Sequence, residues 1–211
     1  MTFSEETFNS DIAKHEMQVI IDSATHRHIR FKRPGTMCMH FDLITWPGYL
    51  CYTGDMGTYV FRRLRDMFEF FRKTERDEPY RIDFRYWAEK LEAADKAAGI
   101  MRFSPERFKE AVKDYFDQYT ANDAADWPNK RKAALWEEIE SEVLGELDDH
   151  GELGAFTALH EFQHEGFAFF DWENPCTEPS YPFLWCCHAL EWAIGVYDAA
   201  TATTEKPQSA R

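Results

Sequence analysis

The chain is expected to fold as an α+β domain, and three observations carry that expectation. Its hydrophobic period changes near Phe61, from the alternation of strands to the 3.6-residue repeat of helices. Before that point the pairs Pro34-Gly35, Pro47-Gly48 and Gly54-Asp55 recur at hairpin spacing, proline presetting φ and glycine accepting positive φ. The chain of 211 residues is 44% hydrophobic and 16% aromatic, enough to bury a core without disulfides. The predicted architecture is an N-terminal four- or five-stranded antiparallel meander, spanning about 17–61, packed on about six helices. One α+β domain covers 1–199, and 200–211 is a disordered tail with nothing to bury.

Element by element, residues 4–14 read as a short helix. The strands follow as MQVIID, HRHIRFK, MCMHFDLITW, YLCYT and TYVF. In the third, Met37, Met39, Phe41 and Leu43 alternate with Cys38, His40 and Asp42. In the second, His26, His28, Arg30 and Lys32 form a basic row opposite Ile29 and Phe31. Leu64, Met67, Phe68 and Phe71 then give an amphipathic helix over RRLRDMFEFFRK, and Phe84, Trp87, Leu91 and Ala94 a second one ending near Gly99. Ser104-Pro105 is a helix-start signal, after which Phe108, Val112 and Phe116 share a face. Leu135, Ile139, Val143 and Leu147 mark the next helix. A short helix from near Glu152 to Gly166 follows, with Leu153, Phe156, His160 and His164 on one stripe. FAFFDW reads as a strand, and Pro182 opens a last helix that is apolar almost all round.

Composition narrows the class of protein. The polar, acidic start MTFSEETFNSD lacks the basic and apolar regions of a signal peptide, and YPFLWCCHALEWAIGVY is too short and too interrupted to span a membrane. Five cysteines without a C-x-x-C spacing suggest reduced thiols, hence a cytoplasmic protein. Net charge is −14, of which residues 121–173 carry −11, from three basic and fourteen acidic residues. Such a segment is a set of solvated helix faces or a surface that meets a basic partner. No phosphate-binding loop or dinucleotide fingerprint is present in the sequence.

One catalytic pattern stands out. His160-Glu161-Phe162-Gln163-His164 is H-E-x-x-H, which on a helix places two zinc ligands on one face with a glutamate as general base. Catalytic zinc normally takes three protein ligands, and none is marked: Gly166 falls one place early for the metzincin continuation, and no later motif singles out His188 or Glu191. The primary expectation is therefore no metal and no cofactor, with a zinc-dependent hydrolase using His160 and His164 as the alternative. The candidate binding residues lie instead in the meander. Trp46, Gly54, Asp55 and Gly57 sit where loops leave it, and His28, Arg30 and Lys32 form the basic row, which could contact phosphate or acidic protein.

Two stretches, residues 26–72 and 167–198, resemble the signature regions of an uncharacterised family encoded by bacteriophages, prophages and mobile elements. FDLITWPGYL, GDMGTYVF, DMFEFF and LWCCHALEWAI carry the likeness. The family has no agreed activity, so the resemblance implies an origin and brings no catalytic residues. Together these readings predict a non-enzymatic accessory protein of the bacterial host cytoplasm. It binds a host protein, such as a nucleic-acid-binding defence component, and blunts a defence system. A nucleic-acid-binding module using the basic row is a weaker alternative, disfavoured by overall acidity, and no membrane partner is expected.

Overall fold

The computed structural model describes residues 3–72, 82–122 and 127–204. They form an antiparallel meander sheet with helices, an α+β fold, and the chain divides into two compact units. The first comprises Met1–Met101 and Pro179–Arg211, the second Arg102–Glu178. Each has a hydrophobic core of its own.

The first unit begins with α1 (Glu5–Ile12), capped by Ser4, whose Oγ accepts from the Thr7 N–H at 3.1 Å. Five strands follow in chain order: β1 (Glu16–Ser23), β2 (His26–Lys32), β3 (Phe41–Trp46), β4 (Tyr49–Gly54) and β5 (Gly57–Arg62). Pro47 and Gly48, the latter at φ +89°, make the tight turn between β3 and β4 that the sequence predicts. Antiparallel register then puts Ile29 and Phe31, Phe41 and Leu43, and Tyr52 and Tyr59 on one face, all of them fully buried.

Three expectations about this unit need correcting. The third strand starts at Phe41 rather than Met37, because Thr36–His40 form turns in which Met39 takes φ +60° and Met37 is exposed. Of the helix expected over 62–73, the described residues, which stop at Arg72, form only α2 (Met67–Phe71). Arg62 belongs to the sheet, where its N–H donates to Lys90 O, and Asp66 caps the helix one residue before Met67. The helix expected from Phe84 to Gly99 ends as α3 (Phe84–Ala88), and β6 (Leu91–Ala93) then pairs with the open edge of β5 as a sixth strand. Sheet pairing satisfies backbone groups that a longer helix would leave open on β5, and it overrides the helical spacing of Leu91 and Ala94.

At the boundary, β7 (Met101–Phe103) pairs with β10 (Thr177–Pro179), so the chain leaves and re-enters through a two-stranded ribbon. Between them, α4 (Pro105–Asn122) starts at Ser104 as expected and buries Phe108, Val112 and Phe116. α5 (Asn129–Ile139), a π-helical turn (Glu140–Leu144) and α6 (Gly145–Glu161) carry the buried stripe Leu135, Ile139, Val143 and Leu147. Gly151 interrupts α6 at φ +65°. A small hairpin, β8 (Gln163–His164) and β9 (Phe167–Ala168), is all that becomes of the strand expected over FAFFDW.

α7 (Tyr181–Thr204) returns the chain to the first unit and lies on the inward face of the sheet, with Trp185 5.6 Å from Phe41 and Trp192 5.3 Å from Phe31 between ring centres. Pro182 sits in its first turn, as the sequence predicts, and Cys186 and Cys187 are fully buried free thiols. The helix takes in residues 200–204 of the expected tail, and the rest of that tail lies outside the described residues. Among the described residues no helix is long and apolar enough to cross a membrane.

Candidate functional site

The basic row of β2 is engaged by the sheet. Asp42 stands beside it on β3, almost fully buried. It accepts from Arg30 Nε and Nη2, each at 2.8 Å, and lies 2.8 Å from His28 Nε2. Burial alone would push the Asp42 carboxyl up, but the hydrogen bonds from Arg30 and His28 outweigh it and hold the group below its ordinary value. Lys32 faces Glu16 across the β1–β2 pair. His28 and Arg30 thus form one cluster with an internal counter-charge, which weakens the row as a phosphate contact.

The turn residues are also tied into the fold. Asp55 Oδ2 accepts from the Met39 N–H at 2.6 Å, and Oδ1 pairs with His40 Nδ1 at 2.9 Å, so this side chain latches the 36–40 turn. Gly54 is required because a Cβ there would lie 2.2 Å from His40 O; Gly57 adopts φ +96° against Asp95. Trp46 is elsewhere. It pairs with Tyr49 at the opposite end of the β3–β4 hairpin from Gly54, roughly 17 Å away along the strand. There its ring stacks on Tyr49 at 5.2 Å, with Arg62 over the Tyr49 face.

The H-E-x-x-H residues do not share a helix. α6 stops at Glu161, Phe162 turns to extended backbone at ψ 125°, and His164 belongs to β8. Glu165 at φ +48° and Gly166 at φ +87° then form the two-residue hairpin turn, a conformation no helix continues through. His160 Nδ1 lies 2.6 Å from Phe156 O within its own helix. Leu153 is 81% exposed, so the stripe expected through Leu153 and His160 is not the buried face; Ala155, Leu159 and Phe162 are. Among the described residues no group of three or more His, Cys, Asp or Glu side chains is arranged to hold a metal.

Among the described residues, two features of the first unit bear on contact with other molecules. One is the edge of the sheet. β1 has a single neighbour, β2, and its Val19, Ile20 and Ile21 are 47%, 43% and 53% exposed. A bulge between Val19 and Ile21 moves these apolar side chains onto both sheet faces. In the sequence QVIID reads simply as a strand; only the sheet order places it at an edge, with no strand beyond β1 among the described residues.

The other is a cavity of about 1170 Å³ between α1, α7 and the residues flanking α2 and α3. His188 of α7 lies in its wall, its ring 4.7 Å from Phe3, 5.6 Å from Phe8 and 5.8 Å from Phe84. Burial lowers the His188 pKa, and Glu5 offsets only part of that. Glu191, one turn further along α7, also lines the cavity. The sequence shows the His188–Glu191 spacing, but not the rings from distant elements that surround it.

No family model, no curated protein and no solved structure matches the chain. These comparisons leave the phage-encoded resemblance untouched.

Proposed function

We propose that this is a non-enzymatic binding protein that takes an extended segment of a partner protein along β1, as an added strand. The observation that supports this reading most is the run Val19-Ile20-Ile21, three adjacent β-branched residues exposed on a sheet edge that no further strand of the described residues pairs. Sheets usually protect such edges with charge, proline or a covering element, because unpaired backbone groups beside apolar side chains recruit another strand. Here the backbone supplies register and the exposed side chains supply apolar contact. Glu16 and Asp22 bracket the run but are engaged within the unit, Glu16 opposite Lys32 and Asp22 by Tyr197 and Arg27, so the favoured partner segment is one that is apolar at its centre.

A bacterial host protein, such as a nucleic-acid-binding defence component, is the partner the sequence resemblance suggests. Acting on such a component would make the chain a counter-defence inhibitor in the host cytoplasm. The test is hydrogen exchange on the full chain with a partner recovered from bacterial lysate. Slowed exchange should concentrate in residues 16–23, and Ile21→Lys should weaken capture at least tenfold while changing stability by less than about 0.5 kcal/mol. Protection confined to other segments, or full capture by Ile21→Lys, overturns the reading.

A further inference from the structure

We infer that the end of the sheet around Trp46 and Arg62 binds single-stranded nucleic acid, stacking an unpaired base on Trp46 and holding phosphates with arginines. Strand register brings the parts together. Trp46, Tyr49 and Arg62 stand opposite one another on the neighbouring strands β3, β4 and β5. Their side chains take the sheet face away from Leu50 and Phe61, which belong to the core. The Trp46 and Tyr49 rings lie 14° from parallel with centres 5.2 Å apart, and Arg62 Cζ lies 5.3 Å from the Tyr49 ring centre. Three planar groups thus make one stack. It ends at Trp46, which is 37% exposed and has Tyr49 as its ring partner among the described residues. A nucleobase extends such a stack, because every base offers a flat π-face.

Charge favours the same ligand. Residues 62–65 read Arg-Arg-Leu-Arg, and all four are exposed. Two backbone hydrogen bonds fasten this segment to the Pro47-Gly48 turn, from the Gly48 N–H to Arg65 O at 2.9 Å and from the Arg63 N–H to Gly48 O at 3.3 Å. Three arginines are thereby held beside the rings. Among the described residues, Arg62 meets the exposed Glu92 at 3.5 Å, and the side chains of Arg63 and Arg65 enter no ion pair. Asp66, next in the chain, is committed to Arg27 through two hydrogen bonds of 2.8 Å. Such arginines suit phosphate, which they can grip through paired hydrogen bonds. Most of the chain's negative charge, −12 of −14, lies in residues 102–178, outside the unit that carries this patch. An acidic protein segment would satisfy the arginines but has no flat group for Trp46, and a duplex keeps its base faces stacked inside. This patch shares no residue with β1, so the strand-addition reading stands or falls separately.

The experiment is fluorescence anisotropy of the full chain with labelled oligothymidylate and oligouridylate of about twelve nucleotides, at about 50 mM salt, where phosphate contacts are strong. At least one strand should bind, and the tighter of the two assigns DNA or RNA. Added salt should weaken binding with a log–log slope of about −2, from roughly −0.7 per phosphate over three arginines. Trp46→Ala should weaken binding at least about fivefold, while Trp46→Phe keeps most of it, which separates stacking from charge. The double variant Arg63→Gln, Arg65→Gln, at exposed positions, should weaken binding at least about tenfold and flatten the slope to about −0.7. The inference is overturned by no binding of either strand at about 100 µM chain, or by affinity unchanged in both the Trp46→Ala and the double-arginine variants. A hairpin duplex or a polyglutamate peptide that competes as well as the unlabelled strand also overturns it.

Discussion

Asp42 holds the outer face of the sheet together at the point where the basic row would otherwise repel itself. Its pKa is held below the unfolded value by Arg30 and His28. The stabilisation is therefore complete above the unfolded value and is lost as pH falls through the folded one, in the acid range below 3.8. Replacing Asp42 with Asn should cost about 2 kcal/mol at pH 7, because Arg30 and His28 lose an ionic acceptor but keep partial access to water. Chemical denaturation should show the gap between variant and wild type closing in strong acid. The basic row was legible as a period-two pattern in HRHIRFK. Its counter-charge was not, since Asp42 sits 12 residues from Arg30 and meets it only through the β2–β3 register. Gly54 and Asp55 were legible as a turn, and their contacts with His40 and Met39 again required the fold.

Whole elements were predicted best where a strong local signal and the tertiary environment agree. Ser104-Pro105 starts α4, Pro182 lies in the first turn of α7, and the Leu135–Leu147 stripe is buried. Helical spacing misled where a backbone edge needed a partner: β6 replaced a helix because β5 offered hydrogen bonds. The H-E-x-x-H fails for a related reason. Glu165 and Gly166 both adopt positive φ in a two-residue hairpin turn, and the chain reverses there to bury Phe167. Gly166→Ala should therefore cost about 1 kcal/mol, since a Cβ strains this left-handed conformation, although nothing crowds the position. Thermal unfolding would measure it.

At the scale of the molecule, the two units differ in core and in charge. Residues 102–178 contain seven basic and nineteen acidic side chains, a net of −12, so the remainder carries only −2 of the total −14. Their cores are separate clusters, one around Phe41, Tyr52 and Trp185, the other around Phe108, Val143 and Phe167. Leu159→Ala should cost about 3 kcal/mol by opening the second core. Native-state hydrogen exchange should then rise in α4 and α6, while the amides of β3 and β4 keep most of their protection. Equal loss in both units would show that they unfold as one. The first unit cannot complete its core until α7 is present, because Trp185, Leu190 and Ile194 belong to it although they follow the last strand of the sheet, which ends at Ala93, by 92 residues or more.

By itself, the sequence determined the α+β class, the meander and its turns, and most helix starts, because each depends on neighbours within a few residues. It also showed the acidity of the middle segment. Only the tertiary structure decided the sixth strand, the end of α6 before His164, the division into two cores, and the sheet edge and cavity that bear on contact. Those outcomes depend on which backbone edges find partners and which rings converge from distant segments, and local spacing does not encode either.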